Sequence, residues 1–252
     1  MAASDTSTFP VAALDWLALP GASSILAVGT SSLAIARRLP SASPALSVID
    51  RDTDRLAAIK RRMPSVTAVG AAPDALPFTP CLFDQLVVAD LLHTLPPRLS
   101  LAEFARVLRP GGRLAVVHTG RDDTVPWVRR LGAILRQLNP SVMSDSGFLG
   151  TEAAMAHNQY FRQVEQRSFR RWIPADKREL LDMVGRSEAV AAASDADREQ
   201  VLAEVGELYE SSARAPEPLL LPYTVACWRA VVDHSELTAS LDTSDVGLRI
   251  TL

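Results

Sequence analysis

The residues of this chain best suited to chemistry each stand just past a short apolar run. Gly29-Thr30-Ser31-Ser32 follows Ser24 to Val28, Asp50-Arg51 follows Ala45 to Ile49, and Ala71-Ala72-Pro73-Asp74 follows Val66 to Val69. Asp90, with His93 close behind, follows Phe83 to Ala89, and His118, Arg121, Asp122 and Asp123 stand at the end of Arg113 to His118 and after it. Glycine at 29 permits a positive φ and a close backbone approach, and the amides after it can hold an anionic group. The same glycine also suits a plain strand-to-helix turn. Asp50 lies 21 positions after Gly29, where a carboxylate can accept both hydroxyls of a ribose. A solvated strand end is the alternative, although Asp52 already fills the N-cap of the next helix. His93 is a candidate proton acceptor, because imidazole titrates near neutrality. It could equally pack a helix start. Arg121, Asp122 and Asp123 could bind a substrate or form a charged loop.

The elements around these residues alternate. Val11 to Leu19 has helical spacing and stops at Pro20-Gly21. Short apolar runs then alternate with helical segments at 32–39, 52–62 and 99–108, with Pro110-Gly111-Gly112 as a turn before the fifth run. Strand and helix in strict alternation predict parallel βαβ units and a doubly wound α/β sheet. Ligands in such sheets bind beyond the carboxyl ends of the strands, where the residues above stand. Further on, 125–138 reads as a helix with a basic face, 141–158 as an insertion or lid, and Phe161 to Trp172 as an edge strand. Helices follow at 175–184 and from Ser194 to about Glu210, then a last strand at 219–232. Residues 1–10 read as a flexible N-terminus, 11–232 as a single domain and 233–252 as a tail.

Composition limits the partners. The chain has 252 residues, 48% hydrophobic and 22% charged, with a net charge of −3. That excludes disorder throughout and gives no basic excess for non-specific nucleic-acid binding. The start, Met-Ala-Ala-Ser-Asp-Thr-Ser-Thr, lacks a basic stretch followed by an apolar run, so no signal peptide is expected. No apolar run approaches the length of a membrane span, and a cytoplasmic protein is expected. Cys81 and Cys227 have no metal-type spacing and no disulfide framework. They read as two buried thiols, and no metal site is expected. Residues 162–178 hold six basic side chains against two acidic, and 188–217 eight acidic against two basic. These are solvated faces, or surfaces that attract each other within the chain or in a homodimer.

Taken in order, these motifs resemble a class I S-adenosylmethionine-dependent methyltransferase, more narrowly the UbiE-like, type 11 group. The resemblance runs from about 11 to 232. It is carried by ILAVGTSSLAIARRL at 25–39, Asp50, Ala75-Leu76-Pro77-Phe78, Phe83-Asp84 and ADLLHTL at 89–95. RVLRPGGRL at 106–114 is its most specific part, followed by RDDTVPWV at 121–128, Gly185-Arg186-Ser187 and LPYTVACWRA at 221–230. The resemblance implies a Rossmann-like, mostly parallel seven-stranded sheet with an antiparallel last strand, in an α-β-α sandwich. It implies S-adenosylmethionine lying across Gly29 and Asp50. The implied contacts are Gly29, Thr30, Ser31, Asp50, Arg51, Ala72, Asp74, Ala89 and Asp90. His93 is the implied base, and a small-molecule substrate would enter between the N-terminal helix and the 141–158 lid. Four positions depart from the family pattern: Ala27 where a carboxylate is usual, Ser31 and Leu33 at later glycines, and Ala72 where an acid often faces adenine.

Three readings follow. The first is a methyltransferase acting on a small molecule. The second is a catalytically silent relative that has lost the cofactor and acts through a partner or another ligand. The third, a nicotinamide-dependent oxidoreductase, needs a GxGxxG turn that GTSSLA does not supply.

Overall fold

In the computed structural model, which describes residues 9–40, 44–139, 146–214 and 217–235, the apolar runs become a twisted sheet. Its strands are β1 (Ser24–Val28), β2 (Ala45–Asp50), β3 (Thr67–Gly70), β4 (Phe83–Ala89), β5 (Leu108–Arg121), β6 (Val164–Ala175) and β7 (Leu219–Val231). The order is β3-β2-β1-β4-β5-β7-β6. β1 to β5 pair in parallel, and β7 runs antiparallel to both β5 and β6. The chain therefore winds outward in both directions from the β1–β4 pair. That pair is the switch in strand order, where a crevice opens beyond the strand ends.

The strands are apolar on both faces because both faces are covered. Leu26, Val28, Leu86, Val88, Leu114, Val116 and Trp228 face one cluster, shared with α4 (Pro97–Val107) and α6 (Ser146–Ala156). Ile25, Ala27, Val87, Ala115, Val117 and Cys227 face the other, with α1 (Val11–Leu17), α2 (Thr30–Ala36) and α3 (Thr53–Arg62). Fully burying each such aliphatic side chain contributes about 1.5–3 kcal/mol. A third cluster joins α5 (Pro126–Arg136), α7 (Lys177–Gly185), α8 (Glu188–Ala191) and α9 (Asp195–Ser212) over the β6–β7 end. Lys177 of α7 pairs with Glu210 of α9, so the basic and acidic stretches meet within the chain at this point.

Several expectations are corrected. Pro110-Gly111-Gly112 does not separate strand from helix but lies inside β5, where the pairing with β4 slips between Phe83 and Gln85. The edge strand begins at Val164 rather than Phe161, because Phe161 is buried in the first cluster and its amide donates to Asn158 Oδ1 at 2.6 Å. Cys227 is buried, and desolvation pushes its thiol up to about 12, but Cys81 is exposed. Of the segments read as terminus, insertion and tail, residues 1–8, 140–145 and 236–252 lie outside the described residues. The described part of the insertion is α6, packed on the core through Ala154 and Met155. The start of the tail is tied down: Asp233 N–H donates to the Tyr160 carbonyl and His234 Nε2 bonds the Ala105 carbonyl. Among the described residues, no helix is long and apolar enough to cross a membrane.

Candidate active site

The turn from β1 into α2 turns on Gly29, whose φ of 82° is left-handed and favours glycine. Its N–H donates to the Ile49 carbonyl at 2.8 Å, which continues the β1–β2 ladder into the turn. A Cβ here would stand 3.1 Å from Leu91 Cδ2, so a side chain would also have to displace Leu91 slightly. Asp50 ends β2 beside it. Its Oδ2 accepts from Thr30 N–H at 2.9 Å and its Oδ1 from Asp52 N–H at 3.0 Å. Desolvation works to raise this carboxyl, but the Asp52 and Thr30 amides, the Thr30 hydroxyl and nearby Arg55 together hold it below the usual carboxylate range. The Thr30 amide, expected to be open to an anion, is thus engaged by Asp50. The Ser32 hydroxyl, buried under the turn, donates to the Val28 carbonyl and accepts from Ala89 N–H at 2.8 Å. It fixes the ends of β1 and β4 relative to each other.

A cleft of about 240 Å³ opens above these strand ends. Of the residues expected to line it, Gly29, Thr30, Ser31, Asp50, Arg51, Ala89 and Asp90 do. Ala72 and Asp74 do not, and Pro73 between them takes their place. Ala72 instead bridges to Ala75, and Asp74 pairs with Arg51 at 3.2 Å across the rim. Leu33, which stands where the family pattern has a glycine, points away from the cleft into the cluster beneath α2, as Ala27 does on β1.

A second cleft, of about 580 Å³, lies over the ends of β4, β5 and β7 and under the first turn of α6. His93, from a 3-10 turn at Leu92–Thr94, and His118, from β5, meet there edge to face, with ring centroids 5.5 Å apart and planes at 90°. Asp90 lies beneath them. Its backbone is left-handed, at φ 53°, and its Oδ1 accepts from Thr119 N–H at 2.6 Å and stands 4.0 Å from His118 Nδ1. Desolvation raises the Asp90 carboxyl above its ordinary range, against the pull of the Thr119 amide and of His93, although 39% of the side chain still meets solvent. Phe148 of α6 continues the row of rings, 6.4 Å from His118 and 5.6 Å from Trp228. No residue of α1 lines this cleft. That helix packs on the opposite face of the sheet, so the expected passage between it and the insertion is not where the cleft lies. His118 was singled out from the sequence as a strand-end residue but not as the neighbour of His93, and Phe148 and Gly147 were not singled out. The adjacency of β4 and β5 is what brings His118 to His93.

Comparison with known proteins fits this geometry. Residues 26–116 match the profile of a methyltransferase domain. Residues 26–116 therefore carry a methyltransferase domain. An uncharacterised methyltransferase of Mycobacterium tuberculosis is 31% identical over 128 residues, covering 51% of this chain and 53% of the relative. A ubiquinone/menaquinone biosynthesis C-methyltransferase of Syntrophotalea carbinolica is 28% identical over 175 residues, covering 64% of this chain and 74% of the relative. The chain thus spans about half the length of the first of these curated relatives. Among solved structures, a provisionally assigned type II methyltransferase from Anaeromyxobacter dehalogenans superposes with a TM-score of 0.60 at 22% identity. The match covers 88% of this chain and 94% of that one, and it shows the shared fold. The matched domain spans β1 to β5 and so contains the Gly29 turn, Asp50, Asp90 and His93.

Proposed function

We propose that this methyltransferase uses S-adenosylmethionine and acts on a small molecule held in the cleft beneath α6. The observation that carries the reading is Asp50: a carboxylate at the end of β2, beside the Gly29 turn, fixed by one backbone amide on each oxygen. Each oxygen keeps a lone pair for a ribose hydroxyl, and the lowered pKa keeps the group ionised. Gly29, Thr30, Asp50 and Ala89 would hold the adenosyl end, with Asp90 at the junction of the two clefts. The first cleft, at about 240 Å³, is smaller than the ~300–1,000 Å³ usual for such ligands. The Arg51–Asp74 pair on its rim, with the Arg51 side chain 66% exposed, is the contact whose opening would widen it. When bound, the cofactor supplies an electrophilic methyl group. The protein's share is to align the acceptor, exclude water and take up a proton, with His93 at the cleft wall as one acceptor.

The test is calorimetric titration of the full chain with S-adenosylmethionine and S-adenosylhomocysteine. Binding in the micromolar range is expected. Asp50→Asn, which keeps one acceptor for the Thr30 and Asp52 amides, should weaken it by about tenfold or more, as expected for losing a charge-assisted hydrogen bond. Neither heat nor thermal stabilisation at millimolar ligand would favour the silent relative, consistent with Ala27 at the usual acidic position.

A further inference from the structure

β5 carries three glycines, and the backbone explains two of them. Gly111 has a φ of 78°, in the left-handed range, and a Cβ on Gly112 would stand 2.8 Å from the Arg109 carbonyl oxygen. Gly120 has neither reason. Its φ lies outside the left-handed range, and apart from its chain neighbours no atom of the described residues lies within 4 Å of where its Cβ would be. A glycine in a strand weakens it, and it marks a bulge, a tight bend or the close approach of a ligand or another backbone. The pairing of β5 with β7 runs one to one from Arg113 to Arg121, so there is no bulge at Gly120.

The open space belongs to the second cleft. Leu114 and Val116 of β5 face the cluster shared with α4 and α6, and the two-residue alternation of a strand turns positions 118 and 120 to the same side. Gly120 pairs with Thr224 of β7 and His118 with Ala226, and all four line the cleft. Gly147 and Gly150 of α6 are the contrast, because they are closed contacts that seat the helix. A Cβ would stand 2.7 Å from His118 Cε1 at the first and 3.1 Å from the His93 Cβ at the second. Phe148 adds its ring to the cleft wall, 6.4 Å from that of His118.

We infer that Gly120 sets the acceptor specificity of this cleft: a flat, unsaturated group of the acceptor lies directly on the backbone at Gly120, and the missing side chain admits it. The inference rests on the methyltransferase reading, which makes this the acceptor cleft. Asp90 of the first cleft stands 4.0 Å from His118 Nδ1, so the two clefts meet at that end and the methylated atom belongs there. Gly120 lies two strand positions further on, roughly 7 Å, which is the reach of one ring. Only glycine lets a ring rest on the peptide planes themselves, since even a single Cβ lifts it away. Phe148 gives such a ring an edge or offset partner on the helix side. A side chain at 120 therefore excludes the acceptor by bulk and leaves Gly29, Asp50 and the first cleft untouched.

The probe is N-phenyl-1-naphthylamine, neutral and fluorescent in apolar surroundings, titrated into the full chain with and without S-adenosylhomocysteine. Gly120→Ala, Gly120→Val and Gly120→Phe form a series of increasing bulk. Wild-type binding is expected to be one to one and to weaken stepwise along the series, by at least tenfold at valine. The heat of S-adenosylhomocysteine binding should persist, and the urea midpoints of Gly120→Ala and Gly120→Val should stay at or above the wild-type value. A glycine kept for structure would lose stability on substitution, and one kept for space does not. 2-Naphthalenemethanol should displace the probe at a tenth or less of the concentration that its fully saturated analogue needs. An apolar groove of about 340 Å³ between α4 and α6 is the competing site, and Ala153→Phe fills it. The inference is overturned by no probe binding in the wild type, by binding undiminished in Gly120→Val, or by binding lost in Ala153→Phe but kept in Gly120→Val. A urea midpoint that falls in step with binding, or equal displacement by the two alcohols, also overturns it. Any of these results with S-adenosylhomocysteine heat present leaves the methyltransferase reading intact. Probe binding that depends on position 120 without that heat overturns the methyltransferase reading, and with it the acceptor role of the cleft.

Discussion

Ser31 and Ser32 look interchangeable in the sequence, yet only one is built into the site. Ser32 is fully buried and its hydroxyl both donates and accepts, linking the Val28 carbonyl to the Ala89 amide. That amide lies beyond the last β1–β4 pair, at the floor of the first cleft, and has no ladder partner on β1 to fall back on. Removing the hydroxyl therefore leaves a buried N–H unsatisfied, at a cost of about 1–3 kcal/mol. Ser32→Ala should lower unfolding stability in urea by that amount. Ser31→Ala, at a half-exposed position lining the cleft mouth, should stay within ~0.5 kcal/mol, as expected of substitutions away from such networks. Equal losses at both positions would refute this division of roles.

Among the elements, α4 shows why a recognisable motif need not be a site. Arg106, in the most specific of the family-like stretches, never reaches either cleft. Its Nε and Nη2 donate to Glu103, and its Nη1 and Nη2 donate to the Phe78 and Leu76 carbonyls at 2.7 and 2.9 Å. Glu103 in turn accepts from Leu76 N–H at 2.8 Å. The pair staples the turn-rich run before β4 onto α4. Arg106→Ala should cost about 2 kcal/mol through lost charge-assisted bonds. It should also speed hydrogen exchange at 75–79 well ahead of β1 or β4, and exchange rising evenly across the sheet would contradict the staple. The same scale explains how far the sequence could be read. β1, β2 and β4 were legible because each presents apolar side chains to two covered faces, and Gly29 and Asp50 followed from their places at strand ends. The His93–His118 pair was not, since 25 residues separate them and only the β4–β5 register brings them together. The role of α6 was hidden because its value lies in the absent side chains of Gly147 and Gly150, not in any periodic pattern.

At the scale of the whole molecule, the sheet has a chemical end and an anchoring end, and the second should set its response to acid. Asp84, at the start of β4, accepts from the amides and hydroxyls of Ser23 and Ser24 before and at the start of β1, and from Arg109 of β5 at 2.6 Å. One carboxylate thus ties together the starts of three central strands. Desolvation would raise it, but these donors outweigh that and hold it well below its ordinary value of 3.8. A carboxyl depressed on folding contributes stability in full above its unfolded pKa, and that contribution fades as pH falls through the folded value. Asp84→Asn should therefore cost about 2 kcal/mol at neutral pH, the scale of lost charge-assisted hydrogen bonds. The gap between variant and wild type should hold down to about pH 4 and shrink steadily below it, as the wild-type carboxylate takes up its proton. Denaturant unfolding of both proteins across the acid range measures this directly. A gap that stays constant from neutral pH into strong acid would mean that the Asp84 charge contributes nothing, and that shape alone holds the starts of β1, β4 and β5 in register.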